Sequence, residues 1–489
     1  MDPSATSTKD PNPPARDIPL CVDLDGTLII GDMLIDGIAR LCRQSPLRAL
    51  LLPVIALRGR TALKAWVARH APATTESLTP RHALLEYLHE EKGNGRKVIL
   101  VTASHRAAIG PAKDLFPFDE ILASTDELNL KGKNKAATLV ERFGEKGFDY
   151  CGDSHADLAV WEKAHKAIVV GAPNRRAQQA ANLCPVAKTI DPITPPKARD
   201  WARGLRIHQW SKNSLIAVPA VVGHVILEPN QAVNVLIAIL LASLCASATY
   251  LWNDLLDAEF DRHHPIKSRR LLASGKMAPA TALALSMVFM TMAIGGALML
   301  APTFALTLGI YVVTTLAYSL VFKRIIIADI LFLAGLYLLR VIMGITVSAA
   351  IPSAWLFAFT FLFFLSLAAV KRYAELNETA ILSRGTVAGR GYRRGDRRTV
   401  AQLGFIAGAA AGLVLSLYAF SPQVDELYSR PHWFIAVGLL AFAWLGHIWR
   451  VTLRGGMHYD PVVFALRDPL TYATGMIGLA CFLFAGPGG

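Results

Sequence analysis

The stretch Asn253-Asp254-Leu255-Leu256-Asp257-Ala258-Glu259-Phe260-Asp261 spaces three aspartates i, i+3 and i+7. On a helix that spacing sets Asp254, Asp257 and Asp261 on one face. Carboxylates brought together in this way repel one another unless a cation lies between them. Oxygen ligands of this kind suit Mg²⁺, which usually coordinates a substrate phosphate as well. A basic run follows, with Arg262, Lys267, Arg269 and Arg270. A merely solvated acidic helix end would need neither the spacing nor the basic run. The aspartates directly follow an apolar run from Val233 to Trp252, so they stand at the end of a membrane helix.

A second set of chemistry-bearing residues lies nearer the N-terminus. The apolar run Ile18 to Val22 ends in Asp23-Leu24-Asp25-Gly26-Thr27, and Lys97 to Val101 ends in Thr102. Phe148 to Cys151 ends in Gly152-Asp153-Ser154, with Asp157 beyond, and Ile168 to Gly171 reads as one more strand. Strands that deliver such residues to their C-terminal ends suit the crevice of a doubly wound α/β sheet. This order of residues, from Leu20 to Ala172, resembles the haloacid dehalogenase (HAD) superfamily of phosphohydrolases. The resemblance implies that Asp23 is a nucleophile forming an aspartyl-phosphate and that Asp25 is the general acid and base. It implies that Thr102 and Lys135 hold the phosphoryl oxygens. Mg²⁺ would be bound by Asp153 beside Asp23, with Asp25 and Asp157 completing the metal residues. Lys131 or Lys133 could stand in for Lys135, but only Lys135 is followed directly by the Ala-Ala-x-Leu helix that the family leads one to expect. A degenerate domain with a purely structural or regulatory role is the alternative; it would have little reason to keep both Asp23 and Asp25. The insertion from Gly31 to Asn94 is long enough for a helical cap. Its apolar segment Leu47 to Leu57 is too short to span a bilayer; it reads as a buried cap helix or as a membrane-surface contact.

The elements that must carry these residues follow from length and bias. At 489 residues the chain is long enough for two domains. Hydrophobic residues make up 53% and charged ones 18%, unevenly: residues up to about 210 read as soluble protein and the rest as a run of membrane spans. The net charge of +13 would suggest nucleic acid in a soluble protein. Here the basic residues of the second half gather in loops between spans, so membrane topology and phosphate binding explain them and a nucleic-acid partner is not expected. The six cysteines form no Cys-x-x-Cys pair, which argues against a zinc site or a disulfide framework. Residues 1–17 are polar and proline-rich and read as a disordered tail without signal-peptide character. The α/β domain is expected over 18–173 with its cap at 31–94, a proline-rich linker over 174–205, and an all-α membrane domain over 206–489.

The membrane half resembles the UbiA superfamily, whose Mg²⁺ ions bind a diphosphate. Asp261-Arg262, His264-Pro265, Lys267, Arg270 and Ala273-Ser274-Gly275 are similar to its decaprenyl-phosphate phosphoribosyltransferase branch, except that Leu271 stands where proline is expected. Arg206-Ile207-His208-Gln209-Trp210-Ser211-Lys212-Asn213 is similar to that branch's entry segment. Lys212 and Asn213 therefore face the active site, or Trp210 and Lys212 simply anchor the span at the interface. Asn253 is counted with the substrate-binding residues.

About nine spans are expected, near 213–228, 232–252, 280–299, 301–321, 326–348, 352–370, 401–420, 432–450 and 468–486. Arg270, Lys323, Arg372, Arg394 and Arg454 fall in loops on one side, and the opposite loops are nearly free of Lys and Arg. The positive-inside rule then places the HAD-like domain and the aspartate loop in the cytoplasm of a cell-membrane protein, with the C-terminus outside. Charges inside spans are costly and usually functional. Asp329 and Arg340 lie eleven residues apart, about three turns, on one face, with Tyr318, Lys323 and Arg324 at the cytoplasmic end. Lys371, Glu375 and Glu378 run along another face beside Arg372. This glutamate-based cluster departs from the second aspartate motif of aromatic prenyltransferases and is similar to the phosphoribosyltransferase branch. The loop Arg390 to Asp396 closes over a phosphorylated substrate or is simply basic.

The resemblance implies transfer of 5-phosphoribosyl from phosphoribosyl pyrophosphate to a polyprenyl phosphate. The HAD-like domain would then remove the 5-phosphate of the product. An aromatic prenyltransferase using a prenyl diphosphate is the alternative; prenyl length and oligomeric state are not legible.

Overall fold

The computed structural model describes residues 18–381, 394–457 and 461–487. The chain forms two units, Met1–Leu205 with Tyr250–Ser286, and Arg206–Thr249 with Met287–Gly489.

The first unit is built on a parallel sheet of six strands: β1 (Leu20–Val22), β2 (Val98–His105), β3 (Glu120–Ser124), β4 (Asp149–Gly152), β5 (Ala167–Val170) and β6 (Val186–Ile190), in the order β3-β2-β1-β4-β5-β6. Central β1 pairs with β2 on one side and β4 on the other, setting Cys21 between Ile99 and Tyr150. Alternating side chains feed two cores. Leu20, Val22 and Leu100 pack with Leu84, Leu88 and Phe116 on one face. Cys21, Ile99 and Val101 pack with Phe148, Tyr150 and Trp161 on the other. Both faces are covered, as a parallel sheet requires. The chain leaves β1 for β2 and β3 on one side and returns through β4 on the other, so a crevice opens at the C-terminal ends of β1 and β4.

Two elements differ from expectation. Residues 174–205, expected as a linker, hold the helix Asn174–Ala181 and edge strand β6, which pairs with β5. Flanking prolines masked a five-residue edge strand whose middle residues face solvent. The helix His82–Gly93, expected in the cap, buries Leu84 and Leu88 against the sheet, so it belongs to the α/β layer. The cap proper comprises Met33–Gln44, Pro46–Ala49, Leu52–Leu57 and Arg60–His70. Asp32 opens it by accepting from the backbone N–H of Leu34 and Ile35 at 2.9 and 3.0 Å. The apolar segment Leu47 to Leu57 is not a buried helix: Pro46–Ala49 and Leu52–Leu57 contain no buried residue.

Among the described residues, seven helices are long and apolar enough to cross a membrane: Pro229–Arg262, Pro279–Leu300, Pro302–Leu320, Ala328–Val347, Ala354–Asn377, Arg397–Tyr418 and Trp433–Leu453. The other two expected spans take shorter forms. Around 213–228 the chain is broken into the 3₁₀ turns Ile207–Ala217 and Val225–Leu227 flanking Val218–Val222, with His224 at φ +59°. Pro219 and the polar Asn213 and Ser214 interrupt a regular helix there. The last is the 17-residue helix Pro469–Ala485. Small residues let the later helices approach closely. A Cβ on Gly404 would lie 2.1 Å from the Trp449 ring, and one on Gly438 2.7 Å from the Gly412 carbonyl.

Candidate active sites

The crevice at the ends of β1 and β4 gathers the HAD-like residues. Lys135 donates to Asp23 Oδ1 at 2.8 Å and to the Tyr150 hydroxyl at 2.7 Å. That hydroxyl donates to Asp157 Oδ1 at 2.9 Å. Asp157 Oδ2 accepts from the Ser154 N–H and hydroxyl at 2.9 and 2.7 Å, and from the Asp153 N–H at 3.2 Å. Asp153 Oδ1 accepts from Thr27 at 3.2 Å. One carboxylate oxygen each from Asp23, Asp153 and Asp157 lie within 4.8 Å of one another. This all-oxygen donor set fits a hard divalent cation such as Mg²⁺. Gly26, at φ +78°, makes the approach of Asp153 possible, because a Cβ there would come within 2.4 Å of its carboxylate.

Asp25, expected among the metal residues, stands outside that cluster. Its oxygens accept from the Ser104 hydroxyl at 2.6 Å and the Met33 N–H at 2.8 Å. Burial, then the neighbouring charge of Asp32, pushes Asp25 up to about 7. Burial also raises Asp23 to about 6 against the pull of Lys135. Burial alone would lower Lys135, but the Asp23 and Asp157 carboxylates raise it. At neutral pH the pair is Lys⁺ beside carboxylate, and Asp25 is poised near its midpoint, as a group that both gives and takes a proton requires. Thr102 is fully buried and accepts from the Ser104 N–H at 2.9 Å, which orders the turn that aims Ser104 at Asp25.

A cavity of about 480 Å³ opens over these residues, with Arg60, Leu63 and Lys64 of the cap on one side and Ala278, Pro279 and Ala280 on another. Pro279 is the first residue of a candidate membrane span. Sequence reasoning missed Tyr150, Ser104, Thr27 and Lys64. Tyr150 and Thr27 belong to runs read only for strand and turn, and Lys64 sits in a helix whose partner could not be foreseen.

The same unit holds the aspartate-bearing helix end. Asp254 and Asp261 are buried, and Arg270 bridges them at 3.2 and 2.5 Å. Asp257 is half-buried, Lys267 is exposed, and Asn253 Oδ1 is buried with no hydrogen-bond partner. An orphaned amide oxygen one turn before Asp257, beside oxygen-only side chains, also fits Mg²⁺. The opposite face of this helix is clamped. Glu259 accepts from Arg43 at 2.8 Å and lies 3.4 Å from Arg40, and Arg262 pairs with Asp36 at 2.7 and 3.1 Å. Arg43 also lies over the Phe260 ring at 4.3 Å. Gly31, at φ +139°, leaves room for the Arg262–Asp36 pair; a Cβ there would lie 2.5 Å from Asp36. Leu271, standing in place of proline, is buried with Leu255, Leu272 and Met277 against Trp201 and Leu205.

In the second unit the expected residues form two groups. Arg340 donates to Asn213 Oδ1 and to the Tyr311 hydroxyl, both at 2.9 Å, and Asn213 donates to Ser243 at 2.9 Å. Lys212 lies 5.8 Å from the centre of the Tyr337 ring. Asp329 shares a helix with Arg340 but pairs with Arg372, whose Nη2 donates to Asp329 Oδ1 at 3.0 Å. Tyr318 donates to the same oxygen at 2.8 Å, and Arg372 reaches Glu375 at 2.8 Å. Lys323 and Arg324 occupy the turn before this helix, and Lys371 is half-buried. The side chain of Glu378 and the loop from Arg390 to Arg393 lie outside the described residues. An apolar cavity of about 340 Å³ is walled by Trp355, Phe359, Tyr418 and Phe434 and reaches Ala349 to Ile351. Those last residues follow the C-terminus of the helix that Asp329 begins, some 20 residues or about 30 Å away. The aromatic cavity is therefore remote from the Asp329–Arg372 cluster.

Helices of membrane-crossing length and a parallel α/β domain with an Asp–Lys–Asp crevice at its strand ends define a polytopic membrane protein that carries an α/β domain of doubly wound type. Residues 216–460 match the UbiA prenyltransferase family and residues 20–162 match haloacid dehalogenase-like hydrolase. The chain is an integral membrane protein that belongs to the UbiA prenyltransferase family and carries an N-terminal HAD-like domain. It is 35% identical to an uncharacterized protein of Sinorhizobium fredii over 96% of this chain and 91% of that one. It is 33% identical to the decaprenyl-phosphate phosphoribosyltransferase of Mycobacterium tuberculosis over 57% of this chain and 92% of that enzyme. A UbiA homolog from Archaeoglobus fulgidus bound to DMAPP and Mg²⁺ is similar at 14% identity and a TM-score of 0.45, over 58% of this chain and 97% of that one.

Proposed function

We propose that the membrane domain transfers 5-phosphoribosyl from phosphoribosyl pyrophosphate to a polyprenyl phosphate, and that the HAD-like domain hydrolyses the 5-phosphate of the lipid-linked product. The lipid phosphate oxygen attacks the anomeric carbon as the bond to pyrophosphate breaks. That oxygen is already ionised, so stabilising the leaving group carries most of the catalysis. Asp254, Asp257 and Asp261, with Asn253, hold Mg²⁺, which when bound neutralises the leaving pyrophosphate. Lys212, Lys267, Arg270, Lys323, Arg324, Lys371 and Arg372 neutralise the phosphates, with Tyr318 and Glu375 holding Arg372 in place. Asn213 and Arg340, bonded to each other and to Ser243 and Tyr311, brace the bundle.

In the crevice, Asp23 attacks the phosphorus and Asp25 protonates the departing ribose oxygen, then takes a proton from the water that releases phosphate. Lys135 holds a phosphoryl oxygen, and Asp153 and Asp157 bind and orient the Mg²⁺ site. The observation that carries this pairing is the wall of the crevice cavity formed by Ala278 to Ala280. It supports a reading in which phosphate hydrolysis takes place beside the loop that follows Asp254, Asp257 and Asp261, where a tethered intermediate would be at high effective concentration. The basic loops support a cytoplasmic HAD-like domain and an outward C-terminus.

The test is turnover of labelled phosphoribosyl pyrophosphate with polyprenyl phosphate and Mg²⁺ in wild type and Asp23→Asn. The expected lipid product keeps its 5-phosphate only in the variant. Consumption of prenyl diphosphate with an aromatic acceptor, and no lipid-linked ribose, would overturn the membrane assignment. Lipid-linked phosphoribose left untouched by wild type, while other phosphates are cleaved, would overturn the coupling.

A further inference from the structure

The cap presents an amphipathic surface turned the unusual way. Leu47, Leu50, Leu51, Val54 and Leu57 recur at helical spacing over the nearly continuous turns from Pro46 to Leu57, which places them on one face. They are 82, 73, 49, 53 and 89% exposed. A helix that only filled the cap would turn this stripe inward. Between Asp36 and Glu76 the chain contains no acidic residue, while Arg48, Arg58 and Arg60 flank the stripe and are exposed. An exposed apolar stripe edged by arginines and free of acidic side chains matches a bilayer interface: acyl chains receive the leucines and anionic head groups receive the arginines.

We infer that Pro46 to Arg60 is an interfacial anchor by which the cap lies in the head-group region of an anionic bilayer. Its span, about 18 Å for twelve helical residues, suits lying in the interface and not crossing it. Arg60 belongs both to the flank of the anchor and to the wall of the crevice cavity. The anchor thereby holds the cavity's cap-side wall at the level where a lipid-linked phosphate emerges. Only this last consequence rests on the proposed phosphatase reading; the anchoring itself needs neither activity.

The test uses the full chain in nanodiscs, with Cys42 (the partly exposed native cysteine) replaced by serine. A nitroxide is placed at Leu50→Cys, with Glu86→Cys on the exposed face of His82–Gly93 as the comparison. In discs containing phosphatidylglycerol, the label at position 50 is expected to be several-fold less accessible to an aqueous nickel chelate and more accessible to oxygen than the label at 86. Adding Arg48→Glu, Arg58→Glu and Arg60→Glu is expected to reverse the difference without lowering the thermal midpoint. Equal chelate accessibility at the two positions would sink the inference. So would protection that persists in detergent micelles and rises with protein copies per particle, which would assign the stripe to a second chain.

Discussion

The first unit contains two acidic sites built in opposite ways. In the crevice, Asp23 comes from the end of β1 and Asp153 from the end of β4, with Asp157 a turn later. Three oxygens converge within 4.8 Å, each carboxylate held by dedicated donors from Lys135, Thr27, Tyr150 or Ser154. At the membrane helix, a single element supplies Asp254, Asp257 and Asp261. A rigid helix spreads positions i to i+7 over about 10 Å of its axis, and Arg270 bridges the outer two. Convergence from separate elements offers one cation three protein oxygens at once. On the proposed reading, a row along one helix leaves more of the shell to a phosphate-bearing substrate. The crevice carboxylates are fixed by donors from several elements, whereas the helix carboxylates are fixed by Arg270 in front and by the clamp of Glu259 and Arg262 behind.

That contrast is broken most directly by removing one carboxylate from each site. Asp23→Asn removes the proposed crevice nucleophile and is expected to lower phosphate release by roughly 10³-fold or more, as loss of a nucleophile does elsewhere. Lipid-product formation should be unchanged. Asp257→Asn is expected to cost the transfer step about 10²- to 10³-fold, on the order of losing one charge-stabilising contact, and to leave hydrolysis of a soluble phosphate intact. Separate assays of phosphate release and lipid labelling on each variant check both. If either variant lowered both activities equally, the sites would not be the independent constructions described here.

The clamp between the cap and the back of the aspartate helix sharpens the comparison. Glu259 is buried against Arg40 and Arg43, on the face away from Asp254, Asp257 and Asp261. Glu259→Ala strands two buried guanidinium groups, which costs about 3 kcal/mol. The thermal midpoint of the full chain should fall clearly, with Glu259→Gln falling less because it keeps hydrogen-bond acceptors. Since Glu259 lies on the aspartate helix itself, transfer at permissive temperature should suffer more than hydrolysis.

The legibility of the two sites in the sequence follows the same division. Asp23, Thr102 and Asp153 could be read because each directly follows an apolar strand run, so the sheet topology dictated where they meet. Lys135 could be read from the helix in whose first turn it sits. Tyr150, linking Lys135 to Asp157, could not, because an aromatic residue within a strand reads as core. Strands β3 and β6 escaped notice since they lie at the sheet edges, where half-exposed positions erase the apolar run. Among the spans, the cost of burying charge marked Asp329 and Arg340 as paired with something. Their shared helix face could be read but not their partners: Asp329 takes Arg372 and Arg340 takes Asn213, 127 residues away in the chain. Periodicity reports which face a residue occupies and carries no information about which helix is packed against that face.

The smallest effect concerns protons. Burial and the charge of Asp32 raise Asp25 to about 7 from an ordinary value near 3.8. A group raised in this way adds stability that is fully present below the ordinary value and is lost as pH climbs through 7. The protonated form, which serves as the acid, follows the same course. Hydrolysis of a phosphate ester with a poor leaving group should therefore fall about tenfold per pH unit above 7, since its departure depends on the acid. An ester with a good leaving group, such as p-nitrophenyl phosphate, should lose much less over the same range. Replacing Asp32 by Asn removes the second cause of the shift while keeping a helix N-cap, and should move the alkaline limb to lower pH. Measuring both esters across pH 6 to 9 in the two proteins separates the role of Asp25 from that of Asp23. A limb that is identical for good and poor leaving groups, and indifferent to Asp32→Asn, would mean that some other group sets it and that Asp25 does not act as the acid.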